Sequence, residues 1–207
     1  MMKLSELEQD ALGEIFNIGV GLAADVLSQM VNESVHLSVP LVEMVSREQA
    51  NSYYVQRIHR PLCAIRQTYV GEVTTEAVLM FPEENSLELV RAMVGNEVSV
   101  EELSDMERDA MAEIGNIILN AVISSLSTTL GLAFDGSLPE VSLIAAEGIF
   151  NDAMGRSEAG GEPSMVLALT IDFELATRQV NGYLAFLLDI PSSERLRARI
   201  ARYIEGA

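Results

Sequence analysis

The sequence has little of what most disulfide, zinc and nucleotide sites require. Its one cysteine, Cys63, excludes an intramolecular disulfide and indicates a reducing compartment. The two histidines, His36 and His59, share no ligand spacing with each other or with Cys63, which argues against a zinc site. The chain contains no Walker-type or Gly-x-Gly-x-x-Gly loop, so no nucleotide site is indicated.

Basic residues are also scarce. Thirteen Lys and Arg against thirty-one Asp and Glu give a net charge of −18, which repels nucleic acid and anionic lipid at long range. The first residues lack a basic segment followed by an apolar run, and Asn, Ser and Thr interrupt the most apolar window, residues 117–134. We therefore expect a cytoplasmic protein that binds no nucleic acid and does not insert into a membrane.

The most informative pattern in the chain occurs twice. An Asp is followed after three residues by Glu, after two more by Asn, and after twenty-two more by Pro, and the second copy begins ninety-nine residues after the first. The residues are Asp10, Glu14, Asn17 and Pro40 in the first copy, and Asp109, Glu113, Asn116 and Pro139 in the second. The spacing indicates an internal duplication.

Each copy begins in a segment with helical periodicity. Ser5 and Ser104 are predicted as N-caps, since Glu8 and Glu107 follow at capping-box spacing. The helical wheel assigns most sides of both helices to the core, and leaves the motif acids and Asn, with Gly21 or Asn120, on one narrow polar stripe. The residues predicted as core are Leu7, Ala11, Leu12, Ile15, Phe16, Ile18, Val20, Leu22 and Ala23, then Met106, Ala110, Ile114, Ile117 and Ala121.

Three strands follow each helix in this interpretation. They are predicted at residues 41–45, 61–72 and 74–81, and again at 141–147, 165–174 and 180–190, with Pro40 at the start of the first. Helices at 82–94, ended by Gly95, and at 191–204 close the two halves, and about ten extra residues fall within 150–163. The predicted fold is a single α+β domain of two pseudo-symmetric αβββα repeats, about 1–96 and 97–207, with a mainly antiparallel six-stranded sheet.

The residues of the stripe can hold a water molecule and a partner's side chain in position for a reaction. Glu and Asn three residues apart lie side by side on a helix. The Asn amide is no base, but it can hold a water in line with an electrophilic phosphorus, and Glu can bind a Lys of a partner. One such pair is most often a solvated helix face, whereas two matched pairs on otherwise apolar helices favour a function. A hard-cation site at Asp10 and Glu14 is a weaker alternative, and the two Pro residues fit strand entry better than substrate contact.

The duplicated motif resembles that of the CheC, CheX and FliY phosphatases of bacterial and archaeal chemotaxis. Glu14-Ile15-Phe16-Asn17-Ile18-Gly19 and Glu113-Ile114-Gly115-Asn116-Ile117 look like the active helix of this family. Two motifs and no flagellar switch domain are most like CheC members, because CheX-like members carry one motif and FliY continues into such a domain.

The resemblance implies hydrolysis of the aspartyl phosphate on a CheY-type response regulator. Asn17 and Asn116 would orient the attacking water, and Glu14 and Glu113 would engage the regulator's active-site Lys. The protein would have no cofactor of its own, because Mg²⁺ would belong to the regulator. The receptor deamidase CheD would be a further possible partner.

Some positions depart from the family's usual helix, which is rich in Gly. Phe16 replaces a Gly in the first copy, and Ile118 and Asn120 replace two in the second. We expect Phe16 to alter packing more than chemistry, Asn120 to narrow the approach of a partner, and the intact Glu-Ile-Gly-Asn of the second copy to favour that site. The alternatives are a non-catalytic adaptor that docks a receiver domain or CheD, and a structural flagellar component.

Overall fold

The computed structural model of the protein describes residues 3–94, 100–150, 164–175 and 178–206. The first half contains α1 (Glu6–Val31), β1 (Val35–Ser46), α2 (Arg47–Arg57), β2 (Leu62–Gly71), β3 (Thr75–Pro82) and α3 (Glu83–Val94). The second half contains α4 (Val100–Leu130), β4 (Phe134–Gly136), β5 (Glu140–Ile144), a 3₁₀ turn (Ala146–Gly148), β6 (Met165–Leu175), β7 (Arg178–Leu188) and α5 (Ile190–Gly206).

The strands form one antiparallel sheet in the order β1-β6-β7-β3-β2-β4, and β5 also pairs with β2. β4 pairs with Tyr69–Gly71 and β5 with Leu62–Arg66, so the two short strands share one edge of the sheet. The predicted α+β class and mainly antiparallel sheet are confirmed. The described part has seven strands rather than six because the edge strand of the second half is divided in two.

Strands of the first half pair with strands of the second half at both edges and at the centre of the sheet. β1 pairs with β6 of the second half, and β4 and β5 pair with β2 of the first half. β3 and β7 meet at the centre of the sheet. This arrangement fits a pseudo-two-fold axis between the halves, while the division near residue 96 stays a prediction. Of the predicted insertion at 150–163 only Phe150 belongs to the described residues, and the predicted helix end at Gly95 lies outside them.

α1 and α4 pack against each other and against one face of the sheet. Phe16 of α1 is fully buried and stacks on Phe186 of β7, with ring centroids 5.7 Å apart. Gly19 lets the two helices meet, since a Cβ there would lie 2.8 Å from the Cα of Val122. The Ser5–Glu8 capping box at the start of α1 is present as predicted.

A helix between the first two strands was not predicted. α2 begins after Ser46, whose hydroxyl accepts the N–H of Gln49 in a second capping box. Only Ala50 and Tyr54 of this helix are buried, and they cover the other face of the sheet with the 3₁₀ turn. Two buried residues in eleven give too weak a periodicity to reveal a helix from sequence.

Several predictions about α4 and the strands are wrong. α4 begins at Val100, so Ser104 lies within the helix and is not its N-cap. β1 runs from Val35 to Ser46, so Pro40 lies inside it rather than at its start. The proline is accommodated because β1 is an edge strand whose register shifts between Ser38 and Leu41.

Part of the predicted core is on the surface. Leu7, Ile18 and Leu22 of α1 are 65%, 51% and 54% exposed, and Met106 of α4 is 44% exposed. The wheel assigned every apolar residue to packing, but α1 has one side without a neighbouring element among the described residues. The other predicted core residues are buried or partly buried.

Two helical segments, Glu6–Val31 and Met106–Leu130, are long and apolar enough to cross a membrane by length and composition. Within their most apolar windows, 50% and 56% of the residues are buried inside the fold. Core helices packed on a sheet meet the same criterion, so this measure does not identify a membrane span.

Candidate functional site

The motif acids lie on solvent-facing sides of α1 and α4, as predicted. Asp10, Glu14, Asp109 and Glu113 are all exposed. None of these carboxylates forms a hydrogen bond or ion pair with another described residue, so their oxygens are available to a partner. In the described part of the chain, no group of three or more His, Cys, Asp or Glu is arranged to hold a metal ion.

Asn17 connects α1 to the edge strand β1. Its Oδ1 accepts the backbone N–H of Val39 at 2.9 Å, and its Nδ2 donates to the carbonyls of Gly13 and Val39 at 2.8 and 3.3 Å. Both amide hydrogens are therefore in use. Val39 directly precedes Pro40, at the shift in register of β1, which gives the spacing from Asn17 to Pro40 a structural reason.

Asn116 is held in a different way. Its Oδ1 accepts a hydrogen bond of 2.7 Å from Nδ2 of Asn120, one turn later on α4. Its own Nδ2 has no acceptor among the described residues. Pro139 lies in the connection between β4 and β5, and no hydrogen bond joins that connection to Asn116. The second site therefore presents a free amide donor that the first site does not.

Side chains from β2 continue this network. The hydroxyl of the buried Tyr69 lies 3.0 Å from Oδ1 of Asn120 and 2.8 Å from Oε1 of Gln67. Nε2 of Gln67 donates to the carbonyl of Ser137 at 2.7 Å. These groups and Asn116 line an open pocket of 470 Å³ whose walls are mostly polar. The sequence analysis noted Asn120 on the stripe but gave no signal for Tyr69 and Gln67, which arrive from a distant strand.

The residue directly before the motif Asn differs between the copies, but in neither copy does it lie on the exposed stripe. Phe16 is buried, as expected from its position on the wheel. Gly115 lies against Ile65 of β2, and a Cβ there would be 2.5 Å from Ile65 Cγ2. The second helix thus comes close to the sheet where the first is spaced from it by an aromatic ring.

Two family models match the chain, one described as chemotaxis phosphatase CheX at residues 63–153 and one as the CheC-like family at 7–44. The CheY-P phosphatase CheC of Bacillus subtilis (strain 168) is 24% identical over 196 residues, which cover 93% of each chain. The chain is similar to members of the CheC, CheX and FliY family. The flagellar motor switch phosphatase FliY of the same organism is 27% identical over 143 residues, which cover 68% of this chain and 37% of FliY.

The solved structure of one relative has the same fold as this chain. The crystal structure of Thermotoga maritima FliY matches with a TM-score of 0.75 at 21% identity, covering 97% of this chain and 98% of that one. Members of the CheC, CheX and FliY family thus include relatives named as phosphatases, one of them for CheY-P.

Proposed function

We propose that this protein hydrolyses the aspartyl phosphate of a CheY-type response regulator in chemotaxis, and that it does so in the cytoplasm. The observation that carries the proposal is the pair of Glu-x-x-Asn stripes on α1 and α4, where Glu14, Asn17 and Glu113 are exposed and Asn116 is half-buried. Similarity to relatives named CheY-P phosphatase and flagellar motor switch phosphatase supports it.

The chemistry follows from the groups on the stripe. An acyl phosphate is hydrolysed when a water attacks phosphorus in line with the departing carboxylate. The Asn amide donates to or accepts from that water and fixes its direction of attack, while Glu binds the regulator's Lys by a charge-assisted hydrogen bond. Mg²⁺ belongs to the phosphorylated regulator, and no phosphoryl group is transferred to this protein.

The two sites contribute unequally in this proposal. Asn17 has both amide hydrogens engaged, one of them by the backbone of Val39, so it has only part of its Oδ1 to offer a water. Asn116 has its Nδ2 free and faces an open polar pocket. We therefore assign most of the turnover to Glu113 and Asn116, and a smaller share to Glu14 and Asn17.

The test is the decay rate of a CheY-type receiver phosphorylated with a small-molecule phosphodonor. The wild type is compared with Asn17→Ala, Asn116→Ala, the double variant and Thr128→Ala, an exposed control on α4. We expect the wild type and the control to accelerate decay equally, Asn116→Ala to lose about tenfold or more of that acceleration, and the double variant to lose all of it. Decay that is unchanged by the wild type would refute a phosphatase.

The second candidate is an adaptor that docks a receiver domain or a deamidase like CheD without turnover. The observation in its favour is that the engaged amide of Asn17 leaves the first helix able to bind while hardly able to orient water. If the protein is an adaptor, the wild type and the double Asn variant should bind the phosphorylated receiver with equal affinity. Neither of them should change the rate at which the receiver loses its phosphoryl group. Titration by calorimetry, run beside the decay assay, separates the two functions.

A further inference from the structure

The amide of Asn116 has two possible orientations, and the side chain beside it selects one. Asn120 directs its Nδ2 at Oδ1 of Asn116, at 2.7 Å. If the Asn116 amide rotated by half a turn, its NH₂ would face the NH₂ of Asn120, and two donors would meet without an acceptor. The hydrogen bond therefore holds the Asn116 oxygen inward and its NH₂ outward.

Asn120 has a polar contact on each side. Its Nδ2 donates to Asn116, and its Oδ1 lies 3.0 Å from the hydroxyl of Tyr69, whose one hydrogen is within reach of this oxygen and of Oε1 of Gln67. Tyr69 is 2% exposed, and burial raises the pKa of its phenol, so the hydroxyl stays protonated around neutral pH. Gln67 lies on the other side of that hydroxyl and is bonded in turn to the Ser137 carbonyl.

The first site has no such arrangement. Gly21 occupies the position that corresponds to Asn120, and nothing lies within 4 Å of where its Cβ would be. There the Val39 backbone holds the Asn17 amide instead. The side-chain pair of Asn120 and Tyr69 thus takes the place of a backbone anchor, with the difference that it leaves one NH₂ free.

We propose that Asn120, which lies between Asn116 and the Tyr69 hydroxyl, is a positioning residue that orients the Asn116 amide for the attacking water. This inference rests on the proposed phosphatase function. The side chain of Asn120 is bonded back along the helix to Asn116, and the expectation that it narrows the approach of a partner stays a prediction.

A double-mutant cycle distinguishes positioning from a general structural effect. Asn120→Ala is measured in the wild type and in Asn116→Ala, with decay of the phosphorylated receiver as the readout. Loss of one orienting hydrogen bond should lower kcat by about 3- to 10-fold in the wild type with KM unchanged, and leave the Asn116→Ala protein unchanged. Asn120→Asp keeps the shape but cannot donate to Oδ1, so it should lower kcat at least as much. Equal losses in both backgrounds would overturn the proposal.

A second measurement does not depend on turnover. The side-chain NH₂ resonances of Asn116, assigned by their disappearance in Asn116→Ala, are followed in ¹⁵N-labelled protein. We expect them to shift in Asn120→Ala and in Tyr69→Phe, while backbone amides away from α4 keep their positions. Unchanged Asn116 resonances would overturn the positioning role. If the resonances shift and the wild type does not accelerate decay, the contact stands and the phosphatase function fails.

Discussion

Replacing the two motif asparagines by alanine should have very different effects on stability. Asn17→Ala removes the one side chain among the described residues that pairs with the N–H and C=O of Val39, a residue 5% exposed at an interruption of the β1–β6 ladder. A buried backbone group without a partner costs about 1–3 kcal/mol. Asn116→Ala removes one exposed hydrogen bond, worth about 0.5 kcal/mol.

The comparison is well matched because both substitutions put Ala for Asn in a long helix. The gain in helix propensity, about 0.6 kcal/mol, is the same at both positions and cancels in the difference. We expect Asn17→Ala to be about 2 kcal/mol less stable than Asn116→Ala, which corresponds to about 4–8 °C in Tm for a chain of this size. Urea unfolding followed by circular dichroism measures both. One exposed hydrogen bond contributes about 0.5 kcal/mol. If the free energies of unfolding of the two variants differed by less than that, the anchoring role of Asn17 would be refuted.

Two further predictions concern packing and pH. Gly19→Ala should lower the free energy of unfolding by about 1–3 kcal/mol, because its Cβ would lie 2.8 Å from Val122 Cα. Gly21→Ala on the same helix meets nothing within 4 Å, so it should raise the free energy of unfolding by up to about 1 kcal/mol. Thermal unfolding measures the change in stability of both variants. If Gly21→Ala were destabilised as Gly19→Ala is, the close contact between the helices would not be what distinguishes Gly19. Burial alone raises the pKa of Glu8, but the N-cap N–H and the Arg197 guanidinium outweigh it and hold that pKa below 4.5. The resulting stability is present above pH 4.5 and is lost as pH falls below it, so Arg197→Ala should unfold at a higher pH in an acid titration; an unchanged midpoint would show that the ion pair contributes nothing.

The elements with strong periodicity could be predicted from the sequence. α1 was expected after Ser5 and begins at Glu6, because the capping box and the apolar repeat agree. β2 and β3 were expected at 61–72 and 74–81, and they lie at Leu62–Gly71 and Thr75–Pro82. α2 was missed because its sequence is polar and only two of its residues are buried.

Contacts at the site could be predicted only in part. The wheel places Glu14, Asn17, Glu113 and Asn116 on one side of each helix, and the structure has the first three exposed and Asn116 half-buried. Their hydrogen-bond partners depend on strand register, which the sequence pattern does not specify to one residue. For this reason Val39 could not be named as the partner of an asparagine twenty-two residues earlier. The catalytic roles of the four residues stay a proposal.

The difference between the two sites originates at the two edges of the sheet. On one edge β1 is a single long strand, and its shift in register at Ser38–Leu41 turns the polar groups of Val39 toward α1, where Asn17 pairs with both. On the other edge the strand is divided into β4 and β5, and the N–H and hydroxyl of Ser137 between them pair with the backbone of Thr68 in β2.

Among the described residues, no backbone group of that divided edge is bonded to Asn116, and its amide is bonded to a residue of α4 itself. A side chain one turn later on the same helix can reach it, and Asn120 does so. A backbone anchor uses the whole amide, whereas a single side-chain donor uses only its oxygen. The divided edge strand thus leaves the second asparagine with a free NH₂. In the function proposed above, the same motif residue therefore serves mainly to hold the fold together at one edge and mainly to orient water at the other.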